Sequence, residues 1–168
     1  MSVLERGPAM SVAFVREESA EAAREVSLPP RAISPHPNLV TRSGLRALEQ
    51  ALADSQQALK AAQAIADASE RRRALELAAR DARYFAERVA SAVLQPEPST
   101  AVVAFGSKVT ILRDDSRRQT FQIVGEDEAD PRGGSIAYVS PLAHRLIGKR
   151  VGEAVEMDGH EIEVVAVE

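Results

Sequence analysis

The fold is decided by the stretch from Thr41 to Leu94, which reads TRSGLRALEQALADSQQALKAAQAIADASERRRALELAARDARYFAERVASAVL. Thr41 is suited to cap a helix, and Val40 and Leu45 stand at the two positions of a hydrophobic staple around it. Two runs of mostly small and aliphatic residues recur alternately every three and four positions, which is the spacing of one helical face. The first run is Leu45, Leu48, Leu52, Ser55, Leu59, Ala62 and Ala66, and the second is Leu75, Ala78, Ala82, Phe85, Val89 and Ala92.

Two faces of similar length, joined by a few residues, predict an antiparallel coiled-coil hairpin, because each face can then cover the other within one chain. Each arm holds about 25 residues and should be roughly 35–40 Å long at ~1.5 Å per residue. The alanines allow the two helix axes to approach closely. A single long helix that pairs in a dimeric coiled coil is the competing interpretation.

The turn between the two arms is predicted at residues 67–70, and it has two interpretations. Asp67 and Glu70 have the spacing of a capping box, in which each side chain satisfies a backbone amide of the other residue. Two carboxylates at the apex of a long rod could also hold a divalent cation and orient a water molecule. Arg71, Arg72 and Arg73 follow directly. These arginines could form a solvated helix face, or they could pair with the carboxylates of Asp67 and Glu70 and weaken cation binding there. They could also contact acidic surfaces or the phosphates of a partner.

Composition limits the class of protein. The net charge of −4 gives no general attraction to nucleic acid, so binding of a DNA duplex is disfavoured as the main role. The absence of cysteine excludes disulfides and thiolate metal sites. No apolar run approaches the ~20 residues that span a bilayer. Glu5 and Arg6 leave the N-terminus without the pattern of a secretion signal. We therefore expect a cytoplasmic protein with no membrane partner.

Prolines mark the boundaries of the hairpin. Residues 1–40 are predicted to form an extended or partly disordered arm, in which residues 17–26 could form a short helix. Residues 28–37 cannot be helical, because each proline removes a backbone donor and restricts the residue before it. Residues 95–100 are predicted to be a short stiff linker, since two prolines follow the second arm. The prolines concerned are Pro8, Pro29, Pro30, Pro35, Pro37, Pro96 and Pro98.

Residues 101–168 change to a period of two and carry recurrent turn signals, which predicts a small α+β domain. A short helix is expected from Ser140 to Gly148, with Ser140 as its cap and Pro141 as its first residue. Asp158-Gly159 is a favoured two-residue hairpin loop. The predicted strands are Lys108–Arg113, Gln119–Val124, Ser135–Val139, Ala154–Met157 and Glu161–Val167.

Several separated motifs carry a family resemblance. In chain order they are Thr41-x-x-Gly44 with Leu48, Arg83-Tyr84-Phe85, Phe105-Gly106-Ser107-x-Val109, Phe121-Gln122-Ile123-Val124-Gly125-x-x-Glu128-Ala129-Asp130, Ser140-Pro141-Leu142-Ala143 and Leu146-Ile147-Gly148-Lys149. Together they resemble the bacterial transcript-cleavage factors of the GreA/GreB family over roughly residues 40–168. The arm before them falls outside the family pattern.

The resemblance implies a coiled-coil hairpin followed by an FKBP-like domain, in a protein counted among transcription and DNA-binding proteins. It implies a monomer that binds RNA polymerase at its secondary channel and contacts nascent RNA only indirectly. By resemblance, Asp67 and Glu70 fall at the acidic tip that helps bind a Mg²⁺ shared with the polymerase active site. The polymerase then cleaves backtracked RNA, so the factor is not itself an enzyme. Ser140 and Pro141 fall in the loop associated with polymerase docking.

Two departures from the family leave an alternative within it open. Each arm is about one heptad shorter, which withdraws the tip by roughly 10 Å at ~1.5 Å per residue. The family's tip continues with Asn-Ala-Glu-Tyr-like residues, whereas here it continues with the three arginines of residues 71–73. The alternative is a Rnk-like or inhibitory homologue that occupies the channel without stimulating cleavage.

Two classes of protein outside this family are also compatible with a hairpin followed by a small α+β domain. An FKBP-like fold raises the possibility of a prolyl isomerase, but such a site needs an aromatic-lined pocket. The domain offers only Phe105, Phe121 and Tyr138, and the chain has no tryptophan, so isomerase activity is disfavoured. A coiled-coil holdase or scaffold without polymerase contact is the remaining alternative.

Overall fold

A computed structural model describes residues 28–99 and 101–168. The short helix predicted over residues 17–26, and most of the predicted arm, lie outside this part of the chain. Residues 28–37 contain neither helix nor strand, in agreement with the proline argument. His36 is an exposed loop residue.

The predicted helical hairpin is present. Helix α1 spans Arg42–Gln63 and helix α2 spans Ala68–Ala90, and the two pack along each other within one chain. At ~1.5 Å per residue each helix is about 33–35 Å long. Leu48, Ala62 and Ala78 are buried between them, so the small residues of the seam do allow close approach. None of the helices that the structure describes is long and apolar enough to cross a membrane.

The second arm ends earlier than the sequence predicted. Helix α2 stops at Ala90, and Val93–Leu94 form a short strand, β2, which pairs in parallel with strand β1, Leu39–Val40. Backbone bonds hold this pair, since the amide of Val93 donates to the carbonyl of Asn38 at 2.8 Å. The chain entering the hairpin and the chain leaving it are therefore tied together at the base.

The C-terminal part is a five-stranded mixed sheet with one short helix, so the α+β fold class is confirmed. The strands are β3 Lys108–Arg113, β4 Arg118–Val124, β5 Ser135–Ala137, β6 Ala154–Met157 and β7 His160–Val167. Their order in the sheet is β5-β4-β3-β7-β6, in which β4 and β5 are parallel and all other neighbours are antiparallel.

The sheet buries one face against helix α3, Pro141–Leu146. Ser140 caps this helix as predicted, because its hydroxyl accepts from the amide of Ala143. The Asp158-Gly159 loop joins β6 to β7, and both residues adopt positive φ, +55° and +78°, as a two-residue hairpin turn requires. The core consists of Val103, Val109, Ile111, Ile123, Ile136, Leu142, Ala143, Leu146, Ile162, Val164 and Val167.

Candidate functional site

The acidic pair lies at the apex of the hairpin. Asp67 is the N-cap of α2, and its carboxylate accepts from the amide of Glu70 at 2.7 Å. Half of the predicted capping box is thus present. Both residues are exposed. Because a capping bond uses one lone pair, the Asp67 carboxylate keeps acceptor capacity that can face a partner.

Arg71 does not compete for these carboxylates, contrary to one sequence expectation. Its guanidinium turns to the end of α1, where Nη1 donates to the carbonyls of Ile65 at 2.6 Å and Ala66 at 3.2 Å. These carbonyls belong to the unpaired end of a helix, so a cation there satisfies orphan acceptors. Arg72 and Arg73 are exposed. Among the described residues, no ion pair joins these three arginines to Asp67 or Glu70.

The two tip carboxylates fit a partial ligand set for a hard cation. Oxygen donors are what Mg²⁺ prefers, and it is commonly held by one or two protein carboxylates plus other oxygens. Within residues 28–99 and 101–168, no group of three or more potential ligands could hold a metal ion. A cation bound at the tip would therefore need further ligands from elsewhere.

A second cluster of acidic residues joins the hairpin to the C-terminal domain. It lies on a single 3₁₀ turn, Glu126–Glu128, that follows β4. The Glu128 carboxylate accepts from the hydroxyls of Thr41 and Ser43, each at 2.7 Å. The Thr41 hydroxyl in turn accepts from the amide of Gly44 at 2.9 Å. One carboxylate thus binds the residues that start helix α1.

Asp127, the next residue of that turn, binds helix α2. Its carboxylate accepts from Nε of Arg88 and from the hydroxyl of Tyr84, both at 2.5 Å. The Arg88 side chain is only 2% exposed, so the ion pair is largely removed from water. Burial raises the pKa of Tyr84 above its usual 10.0, and the hydrogen bond to Asp127 raises it further. We call the set Thr41, Ser43, Tyr84, Arg88, Asp127 and Glu128 the junction.

Sequence reasoning missed the junction, although all of its residues except Arg88 lie within the motifs that carry the resemblance. Thr41 and Gly44 come from one motif, and Gly125 and Glu128 from another. A Cβ on Gly125 would lie 2.5 Å from the backbone carbonyl oxygen of Leu39, and a Cβ on Gly44 would meet the Glu128 carboxylate. The two glycine motifs are therefore a sequence signal for this close contact. Neither motif by itself indicates that it faces the other.

Ser140 and Pro141 belong to the C-terminal domain, and the structure does not bring them to the tip. Ser140 is half-buried and serves as a helix cap, and Pro141 is exposed. The predicted site residues thus form two separate groups, one at the apex of the hairpin and one on the sheet domain.

Comparison with known proteins defines the class. A family described as "Transcription elongation factor, GreA/GreB, C-term" matches residues 97–168. GreA of Methylobacterium nodulans is 36% identical over 153 residues, which cover 76% of this chain and 94% of that protein. GreB of Neisseria meningitidis serogroup B is 42% identical over 93 residues, which cover 51% of this chain and 57% of that protein. These matches define a transcription elongation factor.

Among solved structures, the GreA factor homolog Gfh1 of Thermus thermophilus is 25% identical. That alignment covers 79% of this chain and 99% of the other, with a TM-score of 0.38. A GreA/GreB factor of Nitrosomonas europaea gives a TM-score of 0.38 at 20% identity, covering 77% of this chain and 97% of that one. A TM-score of this size carries no further conclusion. On the sequence matches, the chain belongs to the GreA/GreB family.

Proposed function

We propose that this protein binds RNA polymerase, inserts its hairpin into the secondary channel and presents Asp67 and Glu70 near the catalytic centre. The observation that carries the proposal is the exposed acidic pair at the free end of a two-helix rod. The rod's base is fixed by the junction, so a domain docked outside the channel would hold the tip in a defined position. The protein would then support cleavage of backtracked RNA by the polymerase itself, and would not be an enzyme.

Each group of residues has a separate role in this proposal. Asp67 and Glu70 would complete the coordination of a Mg²⁺ that the polymerase site holds in part, and that ion would polarise the scissile phosphate and activate water. Their exposure leaves them available as ligands. Ser140 and Pro141 would contact the outside of the polymerase. The protein would act as a cytoplasmic monomer and would meet nascent RNA only indirectly.

The bonding of Arg71 supports the acidic-tip proposal. A guanidinium that stays on the carbonyls of Ile65 and Ala66 is not free to neutralise the carboxylates beside it. The first turn of α2 also favours negative charge, because the helix dipole is positive there. The pair is therefore exposed and is not ion-paired to Arg71, so it is accessible as a cation ligand must be.

A second function has one observation in its favour. Arg72 and Arg73 are exposed next to the acidic pair. Two cations at the apex would disfavour delivery of a divalent cation and would suit a protein that fills the channel without promoting cleavage. The two functions share polymerase binding and differ in whether backtracked RNA is shortened.

The position of the tip can be tested by site-directed cross-linking, because the chain has no cysteine of its own. A Ser69→Cys variant carries a short cross-linker at the apex, and a Glu156→Cys variant carries it on strand β6; both positions are exposed. We expect the tip probe, and not the β6 probe, to label polymerase segments that line the active site. Lack of polymerase binding, or labelling by the tip probe only on the outer surface, would contradict the proposal.

A further inference from the structure

The chain before the hairpin runs along helix α2 toward the tip. At the base, Nδ2 of Asn38 donates to the carbonyl of Arg88 at 2.6 Å. Seven residues earlier, the Arg31 guanidinium lies 3.7 Å from the centre of the Tyr84 ring and 3.6 Å from the Asp81 carboxylate. The path from residue 38 back to residue 31 thus follows the helix from residue 88 to residue 81.

An apolar groove begins where this path arrives. It lies between α1 and α2, has a volume of about 540 Å³, and Asp81 stands at its edge. Leu77 in its wall is 47% exposed, so the apolar lining is open to solvent. The residues that face each other across the groove are mostly alanine, which leaves space between the helices. Its lining includes Ala58, Ala62, Ile65, Ala74, Leu77 and Ala78.

We propose that this groove is the docking site for the chain's own N-terminal segment, with the apolar run from Val12 to Val15 as its occupant. The sequence Val12-Ala13-Phe14-Val15 is an uninterrupted apolar run, and Phe14 is large enough to fill space that alanines leave. Burial of such residues against the groove would be favourable, because it removes apolar surface from water. Arg16 follows the run, and its charge is opposite to that of Asp54, which lines the groove. Asp81, the other acidic lining residue, already pairs with Arg31 and Arg80.

The chain can reach the groove without difficulty. Seven helix residues separate Asp81 from Ala74, which is roughly 10 Å at ~1.5 Å per residue. Thirteen residues separate Val15 from Leu28, and even a helical path of that length spans about 20 Å. Attachment in the same chain favours this occupant over a free one, because a tethered segment is present at millimolar effective concentration.

The test uses tryptophan fluorescence in the full-length chain, which contains no tryptophan. A Leu77→Trp probe reports the groove, and a Val151→Trp probe reports an exposed apolar position in the other domain, where the valine is 57% exposed. Each probe is measured in the native chain and together with Val12→Ser, Phe14→Ser and Val15→Ser. We expect the groove probe to be shielded from acrylamide in the native chain. The triple substitution should raise its quenching constant severalfold, toward that of the control, whose own constant should not change.

Two results would overturn this proposal. If the groove probe is quenched as readily as the control in the native chain, the groove is open in the purified protein, and any occupant is a separate molecule. If the probe is shielded but the shielding depends on protein concentration and survives the triple substitution, a second copy of the chain covers the groove. Either result leaves the polymerase proposal intact, because it concerns only the flank of the hairpin.

Discussion

At the residue scale, Gly125 shows how closely the two parts of the molecule approach. Its φ of −67° is open to any residue, so the reason for glycine is contact and not backbone conformation. Because a Cβ would lie 2.5 Å from a backbone carbonyl oxygen, the strand Leu39–Val40 would have to move. We expect Gly125→Ala to lower the free energy of unfolding by about 1–3 kcal/mol, the usual cost of overpacking. Urea denaturation measures this change.

Gly133→Ala is the matched control for that substitution. Its added Cβ would lie 2.6 Å from a carboxylate oxygen of Asp130, which is the end of an exposed side chain and not part of the backbone. That side chain can swing away, so the control should change stability by less than about 0.5 kcal/mol, as surface substitutions generally do. Equal losses in the two variants would show that the approach of Gly125 to Leu39 is not tight.

The Arg88–Asp127 pair should be costly to break. The Arg88 side chain is 2% exposed and that of Asp127 16%. Removal of one partner leaves a buried charge without compensation, so Asp127→Ala is expected to cost about 3–5 kcal/mol. Asp115→Ala, which removes the partner of Arg117 in an exposed pair, should lower the urea midpoint much less, because exposed ion pairs contribute little to stability. If the two variants have similar midpoints in urea, the junction does not hold the hairpin in the way proposed.

Tyr84 should make part of the stability depend on alkaline pH. Its folded-state pKa is raised above 10.0, chiefly by burial and then by Asp127. As pH rises, the unfolded chain therefore loses the Tyr84 hydroxyl proton before the folded chain does. The stabilisation that Tyr84 contributes is fully present below pH 10 and is lost as pH rises through the folded-state pKa. The difference in unfolding free energy between the native chain and Tyr84→Phe should shrink above pH 10. A difference that stays constant between pH 8 and 11 would contradict this assignment.

At the element scale, the start of helix α2 separates a structural role of Asp67 from its proposed chemical role. Its carboxylate caps the helix by accepting from the amide of Glu70. Asn caps about as well as Asp, whereas Ala does not. We expect Asp67→Ala to cost about 1 kcal/mol of stability and Asp67→Asn only a few tenths. Thermal unfolding checks this, and an equally unstable Asn variant would mean that charge, and not the hydrogen bond, holds the helix start.

The elements that sequence reasoning predicted well are those with a local signal. The heptad pattern over residues 45–66 and 75–92 predicted the hairpin. Strand β6 was predicted with its observed ends, because a two-residue turn follows it. Strands β1 and β2 were missed, since two residues are too few to show any period.

The candidate site was predicted only in part, for a related reason. The acidic pair at residues 67 and 70 has a local spacing that a sequence reveals. The bond from Arg71 to two carbonyls of α1 requires the geometry of the turn, and the ion pair from Arg88 to Asp127 joins residues 39 positions apart. Contacts of that kind depend on how the hairpin meets the sheet, which no periodicity describes.

At the scale of the whole molecule, the junction makes one body of a rod and a sheet domain. Glu128 binds the start of α1, and Asp127 binds the far end of α2, so both helices are held by adjacent residues of one turn. The hydroxyl of Tyr138 adds a bond to the carbonyl of Pro37 at 2.6 Å. Because the rod is held in this way, docking of the sheet domain would also fix the position of the tip. The tip lies about 33 Å away along the helix, at ~1.5 Å per residue.

The central claim is that the acidic tip acts inside the polymerase, and cleavage of RNA in backtracked elongation complexes tests it most directly. The native chain is compared with Asp67→Asn plus Glu70→Gln, which keep the helix cap and remove both charges. Glu49→Gln plus Glu87→Gln serves as control, because it removes two exposed charges elsewhere on the hairpin. We predict that the native chain and the control accelerate cleavage, and that the tip variant binds polymerase equally well but leaves cleavage at the rate of polymerase alone. A tip variant that cleaves as fast as the native chain, or a native chain that binds without accelerating cleavage, would contradict this account.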